Sequence, residues 1–262
     1  MRRKNAPARV FDRVESESLS QTAVAQIEDL ILSGVLRAGD MLPGERELAE
    51  QLGISRPKVR EALKQLAEAE LVTIVANEGA HVAQLGGEVM SPALIALYNR
   101  SPQAIRDNLE YRREQEAFAA RLAAERATDS DRAELRRIVT DMEAADAVPD
   151  HRLASELDLA FHHTIAFAAH NRTLTHMMTA LYTMNRSTLF FNRSELLNMD
   201  RAAESLFRQH ADLAEAITRG RPTEAEKVAR EHITFIAGLV EAAFKTRQRE
   251  ALAAKRYRRI EE

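Results

Sequence analysis

The chain of 262 residues carries 37 Lys and Arg against 40 Asp and Glu, a formal net charge of −3, and 45% of it is apolar. That size and apolar share suit one or two domains with a sizeable core, and the absence of cysteine excludes a disulfide framework and any thiolate metal site. No apolar run reaches the length of a membrane span and the N-terminus lacks the apolar core of a signal peptide, so a soluble cytoplasmic protein is expected. Residues 1–17 form a polar arm with Arg2, Arg3, Lys4, Arg9 and Arg13. Residues 18–33 follow as an amphipathic helix, capped by Ser20, with Val24, Ile27, Leu30 and Ile31 as its apolar stripe and Gly34 as its stop. Leu36 to Pro43 is a turn-rich connection.

Gly44 to Leu66 reads as two short helices joined by a tight turn. Leu48, Ala49 and Leu52 give the first an apolar face, and Gly53 permits the turn. Ser55 is a good N-cap, Pro57 is tolerated in the first turn, and Val59, Leu63 and Leu66 recur at helical spacing. Arg56, Lys58 and Arg60 cluster at the N-terminal end of the second helix, with Lys64 beyond and Glu61 as the one acid among them. This is the layout of a helix-turn-helix, whose second helix presents its N-terminal residues to the DNA major groove. A plain surface hairpin with a few charges has the same spacing. With an acidic chain overall, any DNA affinity must come from this patch and not from a global field. Leu71 to Val75 is β-branched and strand-like, Asn77-Glu78-Gly79 makes a turn, and Ala80 to Ala83 returns as a second strand. A helix pair followed by a hairpin is a winged helix-turn-helix, spanning residues 18–84.

Residues 85–100 are a linker, and from Ser101 the pattern is almost unbroken helix. Ser101-Pro102 opens a helix running to about Ala127, and Thr128-Asp129-Ser130-Asp131 opens a second that Val148-Pro149-Asp150 ends. Leu153 to Asn171, Leu174 to about Phe191 and Arg201 to Thr218 make three more. Gly220 closes the last of these, and Pro222-Thr223-Glu224 opens a final long helix. The fold class is therefore mainly α: an N-terminal winged helix-turn-helix plus an all-α antiparallel bundle over 101–248, then a basic tail, 249–262. Lys245, Arg247, Arg249, Lys255, Arg256, Arg258 and Arg259 in this end region read as a solvated helix end fraying into a tail, with contact to the DNA backbone as the alternative. No phosphate-binding glycine loop or serine-nucleophile elbow is present. Asp158 and His162 lie four apart, so both point from one face of one helix. Such a pair is an ordinary hydrogen bond or half of a metal site.

The front half resembles the DNA-binding domain of the GntR family of bacterial transcription regulators. Leu36-Arg37-Ala38-Gly39-Asp40, Leu42 to Ala49, Ser55 to Leu63 and the Gly79-Ala80-His81-Val82 wing carry that resemblance. The helical half is similar to the FCD ligand-sensing domain of the FadR subfamily, through Glu110 to Arg113, Ala119 to Ala124, Asp158 to His162, Ala168 to Asn171, His210 and His232. Within the subfamily, the segment from Ser91-Pro92 to Arg112 and the stretch from His162 to His232 are most similar to regulators of glycolate, lactate and pyruvate genes. The wing departs from the family pattern: Ile74 to Glu78 replaces a basic, glycine-rich approach, which weighs against minor-groove contacts there.

The resemblance implies DNA contacts by Arg37 and Arg46 and, on or beside the reading helix, by Ser55, Arg56, Lys58 and Arg60. Arginine forks suit bidentate contact with guanine, and a lysine suits phosphate. His81 in the wing is a weaker candidate. It also implies that His210 and His232 join Asp158 and His162 around a divalent ion, whose donor set suits zinc best, or nickel or cobalt. Arg112 falls at the family's position for an arginine that pairs with a ligand carboxylate, against the plain reading of an intrahelical pair of Arg112 or Arg113 with Glu116, worth tenths of a kcal/mol. His151, His163, His170 and His176 are read as structural or exposed. The expected whole is a regulator, not an enzyme. It is expected to be a homodimeric repressor that reads a pseudo-palindromic double-stranded operator and responds to a small organic acid: a 2-hydroxy, 2-keto or sugar acid. A sensor in which the metal itself is the signal and a metal-dependent hydrolase are the rivals.

Overall fold

A computed structural model describes residues 18–76, 78–83, 91–146, 151–186 and 202–261. It divides into two units, Met1–Leu85 and Gly86–Glu262.

In the first unit, α1 spans Leu19–Leu32, α2 Glu45–Leu52 and α3 Arg56–Glu68. The cap of α1 differs from expectation. Ser18 is the N-cap, its backbone N–H donating to Gln21 Oε1 at 3.1 Å, and Ser20 is buried inside the first turn. Either serine satisfies the spacing; the burial of Ser20 with Ala23, Ile27 and Ile31 on one face decides between them. Gly53 ends α2 in the left-handed region at φ 65°, a conformation that spares only a residue without Cβ from strain, and so the chain turns into α3 within three residues. Ser55 precedes α3 with extended dihedrals, and Pro57 sits in its first turn. Strand β1, Val72–Val75, pairs antiparallel with β2, Gly79–Val82, in the register Val72 to Val82 and Ile74 to Ala80. Met41 bridges to His81, and Leu42 donates to the Ala80 carbonyl at 2.8 Å, so the incoming segment lines the other edge of β2. Ile27, Ile31, Leu48, Val59, Leu63, Leu66, Val72 and Val82 close one core beneath helices and wing. Asn77, expected in the hairpin turn, lies outside the described residues.

The second unit begins with a helix that was not expected. Pro92–Arg100, read from sequence as linker, forms α4, capped by Ser91, whose Oγ accepts from the Leu94 N–H at 3.3 Å. Then come α5 (Pro102–Arg126), α6 (Asp129–Asp146), α7 (His151–Ala168), α8 (Arg172–Arg186), α9 (Ala202–Thr218) and α10 (Pro222–Glu261). Val148-Pro149-Asp150 and the end of the expected fourth helix lie outside the described residues. The basic end expected as a solvated helix end fraying into a tail from residue 249 is the exposed last part of α10, helical to Glu261 without the fraying. Its Ala, Leu, Lys and Arg residues are strong helix formers, which continue a helix past its last packed turn.

Helix α5 packs most extensively on α10. Their ion pairs join Arg106 to Glu241, Glu114 to Arg230 and Arg121 to Glu226, so numbers rise along one helix as they fall along the other. The two helices are antiparallel. Ala117, Ala119, Ala120, Ala123 and Ala124 present a small-residue surface on α5, and Leu135, Ile138, Phe161, Ile165, Met178, Leu213 and Ile217 from its neighbours fill the core around it. Gly220, at φ 65°, terminates α9 with its N–H donating to Ile217 O at 3.0 Å, and frees the chain to start α10 two residues later.

Candidate metal and effector pocket and DNA-reading surface

Three helices of the second unit deliver one imidazole each to a common point. His162 from α7, His210 from α9 and His232 from α10 place ligand nitrogens within 4.8 Å of one another, and all three residues are at most 2% exposed. Asp158, one turn before His162 on α7, brings Oδ1 to 3.2 Å from His210 Nε2. The four residues expected around a metal are therefore gathered in one place. Phe161 packs edge-on against His162 and His210 and closes the apolar side of the cluster.

The outer nitrogens are committed elsewhere. His162 Nδ1 lies 2.8 Å from Glu116 Oε2 on α5, and His232 Nδ1 lies 2.9 Å from Gln209 Oε1 on α9. Both oxygens are acceptors, so each Nδ1 carries the proton and donates. That leaves His162 Nε2 and His232 Nε2 buried and without a hydrogen-bond partner among the described residues. Burial, and then the neighbouring His210 and His162, push His232 well below the ordinary imidazole range, so it is neutral near pH 7. Neutral imidazoles with a second hydrogen-bonded group behind them are the form in which histidine ligates a divalent ion. The residues fit a metal.

Arg112 is 2% exposed and donates through Nε to Glu116 Oε1 at 2.8 Å. The intrahelical pair with Glu116 read from sequence as the alternative thus exists, made by Arg112, and it lies in the interior beside the histidines. Burial alone would raise the Glu116 carboxyl; the Arg112 guanidinium and His162 outweigh it and hold it at about 2. Tyr182 on α8 is buried next to this cluster, and burial together with the Glu116 charge pushes its phenol up, so it stays protonated. Asn108, Arg112 and Glu116 form one buried polar stripe on α5, each a turn from the next.

Sequence reasoning missed Glu116 as the orienting partner of His162, and missed Gln209, Tyr182 and Asn108 altogether. The spacing of Asn108 and Glu116 about Arg112 was available as a signal. Nothing local links Gln209 to His232, because they meet across two helices. Of the remaining histidines, His170 Nε2 meets Asp131 Oδ2 at 2.9 Å, and His163 packs on Tyr182, both structural contacts.

In the first unit, Arg37, Arg46, Ser55, Arg56 and Arg60 are exposed, and Lys58 is half-buried. Arg60 is not simply solvated. Its Nε donates to Glu45 Oε1 at 3.0 Å and its Nη2 to Glu45 Oε2 at 2.6 Å, a two-pronged pair from α3 to the first residue of α2. Arg56 Nη2 approaches the same carboxylate at 3.9 Å, and Lys58 pairs with Glu61 at 2.8 Å. His81 departs from expectation. It is partly buried at its bridge to Met41, and its Nε2 is occluded without a hydrogen-bond partner among the described residues, so it does not share the exposure of the arginines.

No described helix is long and apolar enough to cross a membrane. The family model for bacterial regulatory proteins of the gntR family matches residues 19–82, and that for the FCD domain matches residues 107–235. The chain is 31% identical over 228 residues to the Glc operon transcriptional activator of Escherichia coli (strain K12), covering 85% of this chain and 89% of that protein. It is 28% identical to the HTH-type transcriptional regulator LutR of Bacillus subtilis (strain 168), over 82% of this chain and 98% of LutR. A third relative, from E. coli (strain K12) and provisionally described as an L-lactate dehydrogenase operon regulatory protein, is 31% identical, over 83% of this chain and 84% of its own. Among solved structures, Streptococcus agalactiae GntR superposes with a TM-score of 0.52 at 25% identity, covering 83% of this chain and 98% of that one. These relatives are transcriptional regulators and not enzymes. The chain belongs to the GntR family of bacterial transcription regulators, with an FCD domain as its helical half.

Proposed function

We propose that this regulator binds a pseudo-palindromic operator as a homodimer and that a small hydroxy or keto acid, held in a metal-containing pocket of the FCD domain, sets its operator affinity. The observation that carries this reading is the buried Arg112, placed beside three convergent histidines. A buried ion pair adds little net stability over an apolar pair of the same volume. Arg112 and Glu116 are therefore better explained by work than by support: the guanidinium is a fork for a carboxylate, and the Glu116 carboxylate holds both that fork and His162 in place. A sensor of the metal alone needs no cationic fork, which disfavours that rival.

His162, His210 and His232 with Asp158 would hold the ion, and three nitrogens with one oxygen suit zinc, with nickel as the other choice. When bound, it supplies a Lewis-acid site for the oxygens of the acid. Glu116 and Gln209 orient His162 and His232, and Arg112 pairs with the carboxylate. The L-lactate named for one relative supports a small 2-hydroxy acid as the class of effector.

Arg46 and Arg56 read the operator, Lys58 meets phosphate, and Arg37 and Ser55 support them. An effector shifts the DNA equilibrium only by the difference of its affinities for the bound and released forms. The acid weakens operator binding and the free protein represses. The same linkage gives activation where the operator lies differently, and one relative is itself the Glc operon transcriptional activator. The test is an operator-shift titration of zinc-loaded protein with two- to six-carbon hydroxy and keto acids, alongside elemental analysis of the purified chain. At least one acid is expected to lower operator affinity. No change with any of them, in protein shown to hold metal, overturns the proposal.

A further inference from the structure

The polar stripe on α5 contains one residue that neither the metal cluster nor the ion pair uses. Asn108 is 8% exposed, and its Oδ1 is buried without a hydrogen-bond partner among the described residues. No described residue donates to it, and the flanking Ile105 and Leu109 pack on Ile233 and Val240 of α10. A buried acceptor left bare is costly in the absence of a donor that arrives later. Asn108 precedes Arg112 by four residues, so both project from the same face of the helix, about 6 Å apart along its axis. Arg112 in turn is bonded to Glu116, and Glu116 to His162. The stripe thus runs from the histidine cluster through a carboxylate fork to a bare carbonyl oxygen.

We infer that Asn108 Oδ1 accepts a hydrogen bond from a hydroxyl of the effector, so that the pocket selects hydroxy acids over the keto and unsubstituted acids of the same carbon skeleton. This rests on the pocket reading given above and adds the residue that sets its specificity. The chemistry is asymmetric. A hydroxyl can donate to Oδ1; a keto oxygen offers only a second acceptor, and a methylene offers nothing. A site built around a polar partner rejects the ligand that lacks it far more strongly than an apolar pocket rejects an extra group. Metal chelation by itself also favours a 2-hydroxyl, so the informative quantity is the change in preference when Asn108 alone is altered.

The experiment is calorimetric titration of zinc-loaded full-length protein with L-lactate, pyruvate and propionate, and with glycolate, glyoxylate and acetate. It is run on the native chain, on Asn108→Leu, and on Asn108→Ala in case the larger side chain disturbs packing. The native chain is expected to bind each hydroxy acid at least about tenfold tighter than its keto and unsubstituted counterparts. In the variants the hydroxy acid's advantage falls by about tenfold or more, while keto-acid affinity stays within about threefold. A purely structural Asn108 would change stability and leave the preference intact. Variants that bind with an unchanged hydroxyl preference overturn this inference alone. If none of the six acids binds the native chain, the pocket reading falls and the inference with it.

Discussion

His162 Nδ1 and Glu116 Oε2 stand 2.8 Å apart in the interior of the helical half, while the other oxygen of Glu116 holds Arg112. One carboxylate thereby sets the orientation of a metal-type imidazole and of a ligand-type guanidinium. Glu116→Gln keeps the shape but removes the charge behind both. It is expected to weaken divalent-ion retention by about 10- to 100-fold, the usual effect of losing a hydrogen bond behind a ligating histidine. Competition against a chelating chromophore reads this directly. Unchanged zinc affinity in folded Glu116→Gln protein would remove Glu116 from the metal site.

The bond from Arg60 to Glu45 ties the reading helix to the helix before it. The Arg60 hydrogen bond lowers the Glu45 carboxyl, so the acid is ionised and its charge stands among the cations. Glu45→Gln frees Arg60 and removes a negative charge beside Arg56. Affinity for random DNA should rise and the ratio of operator to random binding should fall. Fluorescence anisotropy at several salt concentrations measures both. A ratio equal to that of the native chain counts against a positioning role for Glu45.

Arg56 and Lys58 should separate in kind. Arg56→Ala is expected to abolish operator selectivity, at about 1–3 kcal/mol for the lost bidentate base contact. Lys58→Ala should weaken all duplexes alike and flatten the salt dependence by about one unit of slope. Lys58 must first exchange its Glu61 partner for phosphate, a surface pair of small worth. Salt titrations of both variants on operator and random duplexes distinguish the outcomes, and the reverse pattern would interchange the two roles.

The start of α6 gives a pH signature outside the histidine cluster. Burial raises the Asp131 carboxyl, but bonds from the Thr128 hydroxyl and N–H, and His170 behind them, hold it below its ordinary 3.8. A depressed folded pKa means the unfolded chain takes up the proton first as pH falls. The stabilisation is therefore complete above the unfolded value and disappears as pH drops through the folded one. Asp131→Asn should cost stability near neutral pH, and the difference from the native chain should shrink below 3.8. Denaturant unfolding of both proteins across the acid range measures it. A gap that stays constant down to strongly acid pH refutes the assignment.

Periodicity and punctuation made much of the architecture legible in advance. Leu48, Ala49 and Leu52, then Gly53, Ser55 and Val59, Leu63 and Leu66 specify the helix pair locally, since each signal acts within one or two turns. The Ser101-Pro102 start of α5 is legible for the same reason, and Ser91-Pro92 carries an equal signal for α4 inside the 85–100 segment expected as linker. The helical end of α10 was likewise present in its Ala, Leu and Arg composition.

What the chain decided alone is where helices start and stop, which face of each is apolar, and that Asp158 and His162 share a side, because these depend on neighbours a turn away. Three imidazoles from α7, α9 and α10 converge only when those helices pack. The same packing sets Glu116 behind His162, buries Arg112 and leaves Asn108 Oδ1 without a partner among the described residues, while the α2–α3 turn brings Glu45 to Arg60 across 15 residues. Those relationships join residues distant along the chain, and no local propensity encodes a distance across a packed interior.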